Sequence, residues 1–367
     1  MYKVDQCCIM LKRQKMVKYI TISQASEILG VSPQTLRRWD KAGKFSSKRH
    51  PINNYRVYSQ DQINDYINES TADYKPIGKK VNRKQPYFET EFGKLYNDDA
   101  IAFLSSLNAN SVKLIFADPP YNIKKAEWDS FETQKAYVDW SMKWIREAHR
   151  ALDEQGSLYI CGFSEILADL KWAASSMFKG CKWLVWYYRN KANLTNDWGR
   201  SHESLLHFRK SKKYLFNIDN VRIPYNEHTL KYPHHPQAAS SQYGNGKKYV
   251  WTPHPKGAKP KDVFEIPTLT NNSWERKDHP TQKPVELVKK CILASSNEFD
   301  TVVDPFGGTG TTYAVSEAFK RKWLGCENQI NYCDTIKERV SDIDHLNKIA
   351  IDNEEAEAIA RRKKLRG

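Results

Sequence analysis

The residues best suited to chemistry in this chain form one short segment that follows an apolar run. Asp118, Pro119, Pro120 and Tyr121 come directly after residues 112–117, whose largely apolar sequence is typical of a buried strand. The Asp118 carboxylate and a proline carbonyl can both accept hydrogen bonds from an amino group on a flat ring, because proline has no competing N–H. Tyr121 offers a ring face on which an extruded base could stack, with a contribution of about 1–3 kcal/mol.

These residue types suit methyl transfer to the exocyclic amine of adenine or cytosine. The lone pair of such an amine is delocalised into the ring, so an enzyme must accept the amine's hydrogen bonds to make its nitrogen nucleophilic. The methyl donor would be the sulfonium group of S-adenosylmethionine, and most of the acceleration would come from positioning and electrostatics. This chemistry requires neither a nucleophilic cysteine nor a metal ion.

A second segment of chemical interest comes nearly two hundred residues later. The β-branched residues 301–303 predict another strand, which leads into Asp304-Pro305-Phe306-Gly307-Gly308-Thr309-Gly310 and then into a helical stretch. Glycines between a strand and a helix let the backbone approach a nucleotide-like ligand closely. The two segments therefore predict a catalytic site and a cofactor site, each at the end of a strand.

The order of these segments resembles that of β-class DNA amino-methyltransferases, the permuted group in which the catalytic motif precedes the glycine motif. The similarity covers about residues 93–340 and includes a strong match at His279-Pro280-Thr281-Gln282-Lys283-Pro284. It implies a Rossmann-like α/β methyltransferase fold with a mostly parallel sheet and with ligands at the carboxyl ends of the strands. Ribosomal RNA guanine methyltransferases and glutamine methyltransferases with a similar proline segment place their glycine motif upstream, so the order argues against them.

The resemblance also implies which residues serve the reaction. The quartet 118–121 would act on the target base, and S-adenosyl-L-methionine would be the cofactor. Glu327, at the end of the strand after the glycine segment, would bind both ribose hydroxyls. Asp99 would lie near the cofactor's adenine, although Asp98 stands where the family usually has glycine. The expected cofactor contacts are Asp99, Thr281, Lys283, Asp304, Phe306, Gly307, Gly308, Gly310, Thr311 and Glu327.

The identity of the target base is a separate expectation. Aspartate at position 118, with Asn122 after the quartet, is more usual in members that modify adenine N6, whereas members that modify cytosine N4 more often have serine. Adenine is therefore the expected target and cytosine the alternative. A DNA-bound regulator that keeps the fold only to sense the cofactor is disfavoured, because sensing needs neither an amino-group acceptor nor a stacking ring.

Charge and cysteine content agree with an enzyme that acts on nucleic acid. The chain has 367 residues, a net charge of +15 and a pI near 9.3, which favours a polyanion such as double-stranded DNA. Its seven cysteines show no metal-ligand spacing, and the apolar run at 7–11 is too short for a signal peptide or a membrane span. We expect a cytoplasmic protein without a metal site. Two further partners fit the resemblance, a companion restriction endonuclease and a second copy of the chain.

The N-terminal region carries most of the excess positive charge. Residues 1–86 contain seventeen Lys or Arg and seven Asp or Glu. Thr21 and Gln24 predict a capped helix that ends at Gly30, and a second helix is expected from Pro33 to about Asp40. The sequence leaves the start of the protein open between two methionines, Met1 and Met16.

A basic hairpin and a third helix complete this N-terminal pattern. Basic segments flank Asn53-Asn54, which predicts a wing, and residues 60–67 predict the third helix. The pattern over 17–68 resembles a MerR-type winged helix-turn-helix domain that binds DNA. A small helical module for protein contacts is the alternative. The expected DNA contacts are Arg37, Arg38 and Arg56.

The remaining boundaries follow from composition and from the resemblance. Residues 69–86 lack apolar periodicity and predict a basic linker. The methyltransferase domain is expected over 87–345, followed by a charged C-terminal tail at 346–367. The family places its target recognition region at 212–278, which is rich in basic and aromatic residues and could otherwise be a long surface insertion.

Overall fold

Two compact units make up the chain, Met1–Gly78 and Lys79–Gly367, and their boundary falls inside the predicted linker. The computed structural model describes residues 19–29, 31–51, 53–72, 85–123, 129–189, 196, 198–233, 235–237 and 249–351. The alternative starts, Gly30, most of the linker and the basic C-terminal end lie outside the described residues.

The N-terminal unit has the predicted winged helix-turn-helix arrangement. Thr21 and Gln24 form the expected capping box, in which each backbone N–H donates to the other's side chain, at 3.0 and 3.3 Å. Ser32 caps the second helix by accepting from the N–H of Thr35 at 3.1 Å. The sequence did not predict the short first strand, which pairs with the third strand. The elements are β1 Tyr19–Thr21, α1 Ile22–Leu29, α2 Pro33–Lys41, β2 Lys48–Arg49, β3 Arg56–Ser59 and α3 Gln60–Ala72.

A small apolar core and an ion pair hold the described part of this unit together. Phe45 stacks on Tyr58, with ring centroids 5.3 Å apart. The Nε of Arg56 lies 2.7 Å from Oδ2 of Asp40, and Ser47 donates to the same carboxylate. These contacts fix the wing strand β3 against α2. The buried core consists of Ile20, Ala25, Leu36, Phe45, Tyr58 and Ile63.

Strands and helices alternate through most of the C-terminal unit, as the sequence predicted. The helices are α4 Ala100–Ser106, α5 Gln134–Ala151, α6 Ser164–Ala174, α7 Glu227–Lys231, α8 Val285–Ser295, α9 Thr311–Ala318 and α10 Ile330–Ser341. The strands are β4 Phe88–Glu89, β5 Gly93–Asn97, β6 Val112–Ala117, β7 Leu152–Gly162, β8 Gly180–Tyr187, β9 His202–Arg209, β10 His235–Gln237, β11 Tyr249–Trp251, β12 Val263–Glu265, β13 Thr301–Asp304 and β14 Lys322–Glu327.

Nine of these strands form one mixed, mostly parallel sheet in the order β12-β8-β9-β7-β6-β13-β14-β5-β4. The pairs that involve β9, and the pair of β4 with β5, are antiparallel, and the other pairs are parallel. Helices pack against the sheet, which confirms the predicted α/β class. The pair β10–β11 forms a separate two-stranded sheet.

The strands that lead to the proposed site are neighbours in this sheet. In β13, Val302 pairs with Leu114 of β6, and Asp304 pairs with Gly325 of β14. Since β6, β13 and β14 are parallel, their carboxyl ends meet at one edge of the sheet. This arrangement brings residues 118–121, the glycine segment and Glu327 together although they are far apart in sequence.

The packed part of the chain continues beyond the predicted domain end at 345. Ile349 is fully buried, and its carbonyl accepts a hydrogen bond from Nζ of Lys289 at 2.9 Å. The first residues of the predicted tail therefore belong to the folded unit, because apolar side chains are interspersed among the charges there. Among the described residues, the helices lack the length and apolar character needed to cross a membrane.

Candidate functional site

A pocket of about 290 Å³ lies at the edge where β6, β13 and β14 end. Its walls contain all four residues of the segment 118–121, which was predicted to be catalytic, and every expected cofactor contact except Gly310. Gly310 instead shapes the turn, since its φ of +75° is left-handed and a Cβ there would lie 3.0 Å from Ile336. The structure thus assembles one site from five separate segments of sequence.

Asp118 is held by two neighbours inside this pocket. The hydroxyl of Tyr121 donates to Oδ1 at 2.7 Å, and Nζ of Lys283 lies 2.9 Å from Oδ2. Only 5% of the Lys283 side chain is exposed. Burial acts to lower the pKa of Lys283, but the carboxylates of Asp118 and Glu203 outweigh it and raise that pKa above its ordinary value. Lys283, expected among the cofactor contacts, therefore lies against the carboxylate of Asp118.

Tyr121 is buried and firmly positioned. The edge of its ring packs against Phe163, with centroids 5.2 Å apart, and Nζ of Lys283 lies 5.1 Å from the ring centre. Burial, followed by the charges of Asp118 and Glu203, raises the pKa of Tyr121 well above its ordinary value. The phenol therefore keeps its proton and acts as a hydrogen-bond donor in this site.

The backbone after Pro120 is organised by a carboxylate that sequence reasoning missed. Asp129 Oδ1 accepts from the N–H groups of Tyr121 and Asn122, both at 2.6 Å, and Oδ2 accepts from the N–H of Ile123 at 3.2 Å. These bonds stabilise the left-handed φ of +57° at Asn122. An aspartate nine residues after Pro120 was the available signal, but such a spacing occurs in many loops.

The glycine segment is anchored through Asp304. Oδ1 of Asp304 accepts from the N–H of Phe306 at 2.9 Å, and Oδ2 accepts from the hydroxyl of Thr312 at 2.6 Å. Burial raises the pKa of Asp304 well above its ordinary value, although both hydrogen bonds act to lower it. Asp304 therefore contributes to the site mainly by fixing the turn between β13 and α9.

Gly308 and Glu327 form the part of the pocket that faces the glycine turn. Gly308 has a φ of +51°, and a Cβ there would meet only the ring of His279, at 3.6 Å or more. Its N–H donates to Oε2 of Glu327 at 2.8 Å, and the N–H of Gln329 donates to Oε1 at 2.9 Å. Burial raises the pKa of Glu327. The backbone N–H groups around Glu327 act to lower this pKa, but burial outweighs them.

Two other expected cofactor contacts also have clear local structural roles. Asp99 lines the pocket and caps α4 by accepting from the N–H groups of Ile101 and Ala102, at 2.9 and 3.0 Å. The hydroxyl of Thr311 donates to the carbonyl of Lys283 at 3.1 Å. Thr311 thereby links the start of α9 to the segment that carries Lys283.

An aromatic wall closes one side of the pocket. The ring of Phe306 packs against Trp140 and Trp144 of α5, with centroid distances of 6.0 and 5.3 Å. Trp140 and Phe306 both line the pocket. The sequence predicted Phe306 but missed Trp140, because a tryptophan on an amphipathic helix usually serves the core.

The three arginines expected to contact DNA differ in their surroundings. Arg37 and Arg38 are exposed on α2. Nη1 of Arg37 donates to Gln34 within the same helix at 3.2 Å. Arg56 is half-buried, and its ion pair with Asp40 uses Nε. Arg37 and Arg38 are thus available at the surface, while Arg56 also ties the wing to α2.

Comparison with known proteins supports both parts of this description. Residues 112–338 match the family described as DNA methylase, and residues 21–58 match the MerR family regulatory proteins. The Type II methyltransferase M1.MboII of Moraxella bovis is 32% identical over 66% of this chain and 94% of its own length. The DNA adenine methyltransferase YhdJ of Escherichia coli K12 is 35% identical over 67% of this chain and 81% of its own length.

The fold comparison agrees. The PvuII DNA methyltransferase (cytosine-N4-specific) superimposes with a TM-score of 0.53 over 73% of this chain and 95% of that protein, at 20% identity. At this identity the likeness concerns the fold alone. Because the family match covers more than half of the chain and includes the catalytic and glycine segments, the chain belongs to the DNA methylase family that modifies adenine N6 or cytosine N4, and it carries a MerR-like helix-turn-helix unit.

Proposed function

We propose that this protein is a site-specific DNA methyltransferase that transfers a methyl group to the N6 amino group of adenine in double-stranded DNA. The arrangement of Asp118 carries this proposal, since its carboxylate is fixed by Lys283 and Tyr121 at the wall of the pocket. Aspartate at this position, followed by Asn122, favours adenine over cytosine. A relative that is 35% identical is named a DNA adenine methyltransferase, which supports the same choice.

The family's methyl donor is S-adenosyl-L-methionine, and the residues at the glycine turn fit it. Gly308 has no side chain, and any other residue would place one in the space beside it. The glycine therefore leaves room for a ligand close to the backbone. The carboxylate of Glu327 would accept from the ribose hydroxyls, and the wall formed by Phe306 and Trp140 would pack on an apolar surface. When bound, this cofactor supplies an electrophilic methyl group on a sulfonium.

The protein's own contribution is to prepare the amine and exclude water. Asp118 would accept one hydrogen bond from the amino group, and the carbonyl of Pro119 or Pro120 a second, which localises the lone pair on nitrogen. Lys283 and Tyr121 keep the carboxylate in a fixed orientation, so little reorganisation is needed as the reaction proceeds. Tyr121 would also present its ring to the extruded base.

Sequencing of DNA from a host that expresses this chain tests the choice of base directly. We expect N6-methyladenine at one recurring sequence, read by single-molecule sequencing, and none in a host that carries the Asp118→Ala variant. N4-methylcytosine at a recurring sequence would show that the target base is cytosine rather than adenine. Unmodified DNA, from cells in which the protein is folded and abundant, would contradict the methyltransferase proposal.

We propose that the N-terminal unit binds DNA and that residues 212–278 recognise the target sequence. The first role is supported by the exposed Arg37 and Arg38 and by the positive charge of residues 1–86. The second is supported by exposed aromatic side chains in the described part of 212–278, such as Phe216 and Tyr232. His234, and the lysines and tyrosine of 238–248, lie outside the described residues. The relatives' type II names support a restriction-modification system with a companion endonuclease.

Replacing Arg37 and Arg38 together by alanine should weaken DNA binding and flatten its salt dependence. Each lost phosphate contact reduces the slope of log K against log salt by about 1, so the double variant should lose about 2. Fluorescence anisotropy at several salt concentrations measures both quantities. Deleting residues 1–86 should have a larger effect, while the methylated sequence stays the same.

The outcomes separate the roles of the two regions. Unchanged affinity and slope in both variants would mean that the N-terminal unit contacts a protein rather than DNA. A changed methylated sequence after the deletion would mean that the two regions share base recognition.

A further inference from the structure

Glu203, on β9, is a second carboxylate beside Asp118 that the reaction described above does not use. Its Oε2 lies 3.3 Å from the hydroxyl oxygen of Tyr121 and 3.6 Å from Nζ of Lys283. About 18% of the Glu203 side chain is exposed, the same fraction as for Asp118, whereas only 5% of Lys283 is exposed. Glu203 therefore contacts the buried Tyr121 and Lys283, next to Asp118, and retains access to water.

The hydroxyl of Tyr121 is shared between the two carboxylates. It has a single hydrogen, which it can donate to Oδ1 of Asp118 at 2.7 Å or to Oε2 of Glu203 at 3.3 Å. The charged and titratable groups that interact with Glu203 come from several elements: Asp118 and Tyr121 after β6, Cys161 on β7, Tyr188 after β8 and Lys283 before α8. Tyr121 is thus the hydrogen-bonded link between Asp118 and Glu203.

We propose that Glu203 accepts, through the hydroxyl of Tyr121, the proton that leaves the target amine during methyl transfer. The carbon–nitrogen bond forms as the carbon–sulfur bond breaks, and sulfur keeps the bonding electron pair. The amine proton passes to Asp118, which protonates the oxygen of Tyr121 as that hydroxyl gives its own proton to Oε2 of Glu203. Asp118 and Tyr121 end as they began, and Glu203 carries the proton to solvent.

The position of Lys283 explains the direction of this transfer. Its ammonium lies 2.9 Å from Asp118 and 3.6 Å from Glu203, so it stabilises the charge on Asp118 more strongly. A proton that remained on Asp118 would remove the closest counter-charge of a buried ammonium, which is costly. Moving the proton to Glu203 restores that pair and frees Asp118 to accept from the next amine.

A double-mutant cycle tests the relay, which rests on the proposed function. The variants are Glu203→Gln, Tyr121→Phe and the double variant, and the readout is the single-turnover rate on a duplex with the target sequence. A positioned proton acceptor contributes about 100-fold or more, and Asp118 still takes the first proton, so each single variant should be slower by about tenfold. The double variant should be no slower than the slower single variant, because each substitution interrupts the same proton pathway.

Binding measurements separate this role from a structural one. We expect Glu203→Gln to keep the wild-type affinities for S-adenosylmethionine and for the duplex, measured by titration, and Glu203→Asp to recover part of the rate. Glu165→Gln is the matched control, since Glu165 is exposed on α6, where it pairs with Arg200 at 3.3 Å. This control should methylate at the wild-type rate.

Two results would overturn the relay while leaving the proposed function intact. One is a Glu203→Gln rate within about twofold of wild type, and the other is losses that multiply in the double variant. A wild-type chain that methylates no DNA would overturn the proposed function, and the relay with it, before any variant is compared.

Discussion

Alanine in place of Asp118 should abolish methylation while cofactor affinity stays close to wild type. The substitution removes the acceptor that localises the amine's lone pair, and it leaves Lys283 with Glu203 as its partner at 3.6 Å. The loss of transition-state stabilisation should exceed about 3 kcal/mol, which is more than about 100-fold in rate. Single-turnover methylation of a target duplex, together with titration of S-adenosylmethionine, measures the two quantities separately.

Asparagine at the same position is the matched control for Asp118. Its amide oxygen keeps an acceptor of the same reach but loses the charge that pairs with Lys283. We expect Asp118→Asn to lose less activity than Asp118→Ala. The loss in the asparagine variant would then measure the contribution of the charge, and the further loss in the alanine variant that of the hydrogen-bond acceptor. Near-normal turnover by the alanine variant, with cofactor bound, would remove Asp118 from the mechanism.

Valine in place of Gly308 should strongly weaken cofactor binding. The backbone there has a φ of +51°, which a β-branched residue adopts only with strain, and the new side chain would project into the pocket near His279. We expect affinity for S-adenosylmethionine to fall by more than about tenfold, and methylation at ordinary cofactor concentrations to fall with it. Isothermal titration of the purified variant is the direct measurement.

Gly43 offers a control for the strain alone. Its φ of +69° is also left-handed, and a Cβ there would have no neighbour within 4 Å. Gly43→Val should therefore lose some stability but bind S-adenosylmethionine like the wild type. If Gly308→Val also bound the cofactor normally, the glycine turn would not be the cofactor site.

The sequence was sufficient to predict the elements whose ends carry the site. Val112–Ala117, Thr301–Asp304 and Lys322–Glu327 are short apolar strands whose boundaries are marked by proline, glycine or an acid, and each is found where it was expected. Their local signals are strong because a buried parallel strand needs a continuous apolar run. The capped helices of the N-terminal unit were predictable for a similar reason, since caps use recognisable side chains.

What the sequence could not predict depends on contacts between distant segments. The resemblance implied a cofactor contact for Lys283, and its ion pair with Asp118 is an additional contact that joins segments far apart in sequence. Glu203 and Asp129 both form hydrogen bonds with Tyr121, at 3.3 and 2.6 Å. Their positions along the chain do not reveal these contacts. Arg56 was expected to contact DNA from the wing, and its ion pair with Asp40 could not be predicted from their separation along the chain.

The position of β13 in the sheet has a consequence for the synthesis of this protein. The strand lies beside β6, yet it is translated more than 180 residues later. At about 5–20 residues per second, β6 waits for roughly 10–40 s with its edge unpaired. Such an edge is open to pairing with other chains, so aggregation competes with folding throughout this interval. Asp118 is therefore made early, but the pocket beside it is incomplete until β13 and β14 have left the ribosome, and we expect translation speed to affect the yield of folded protein.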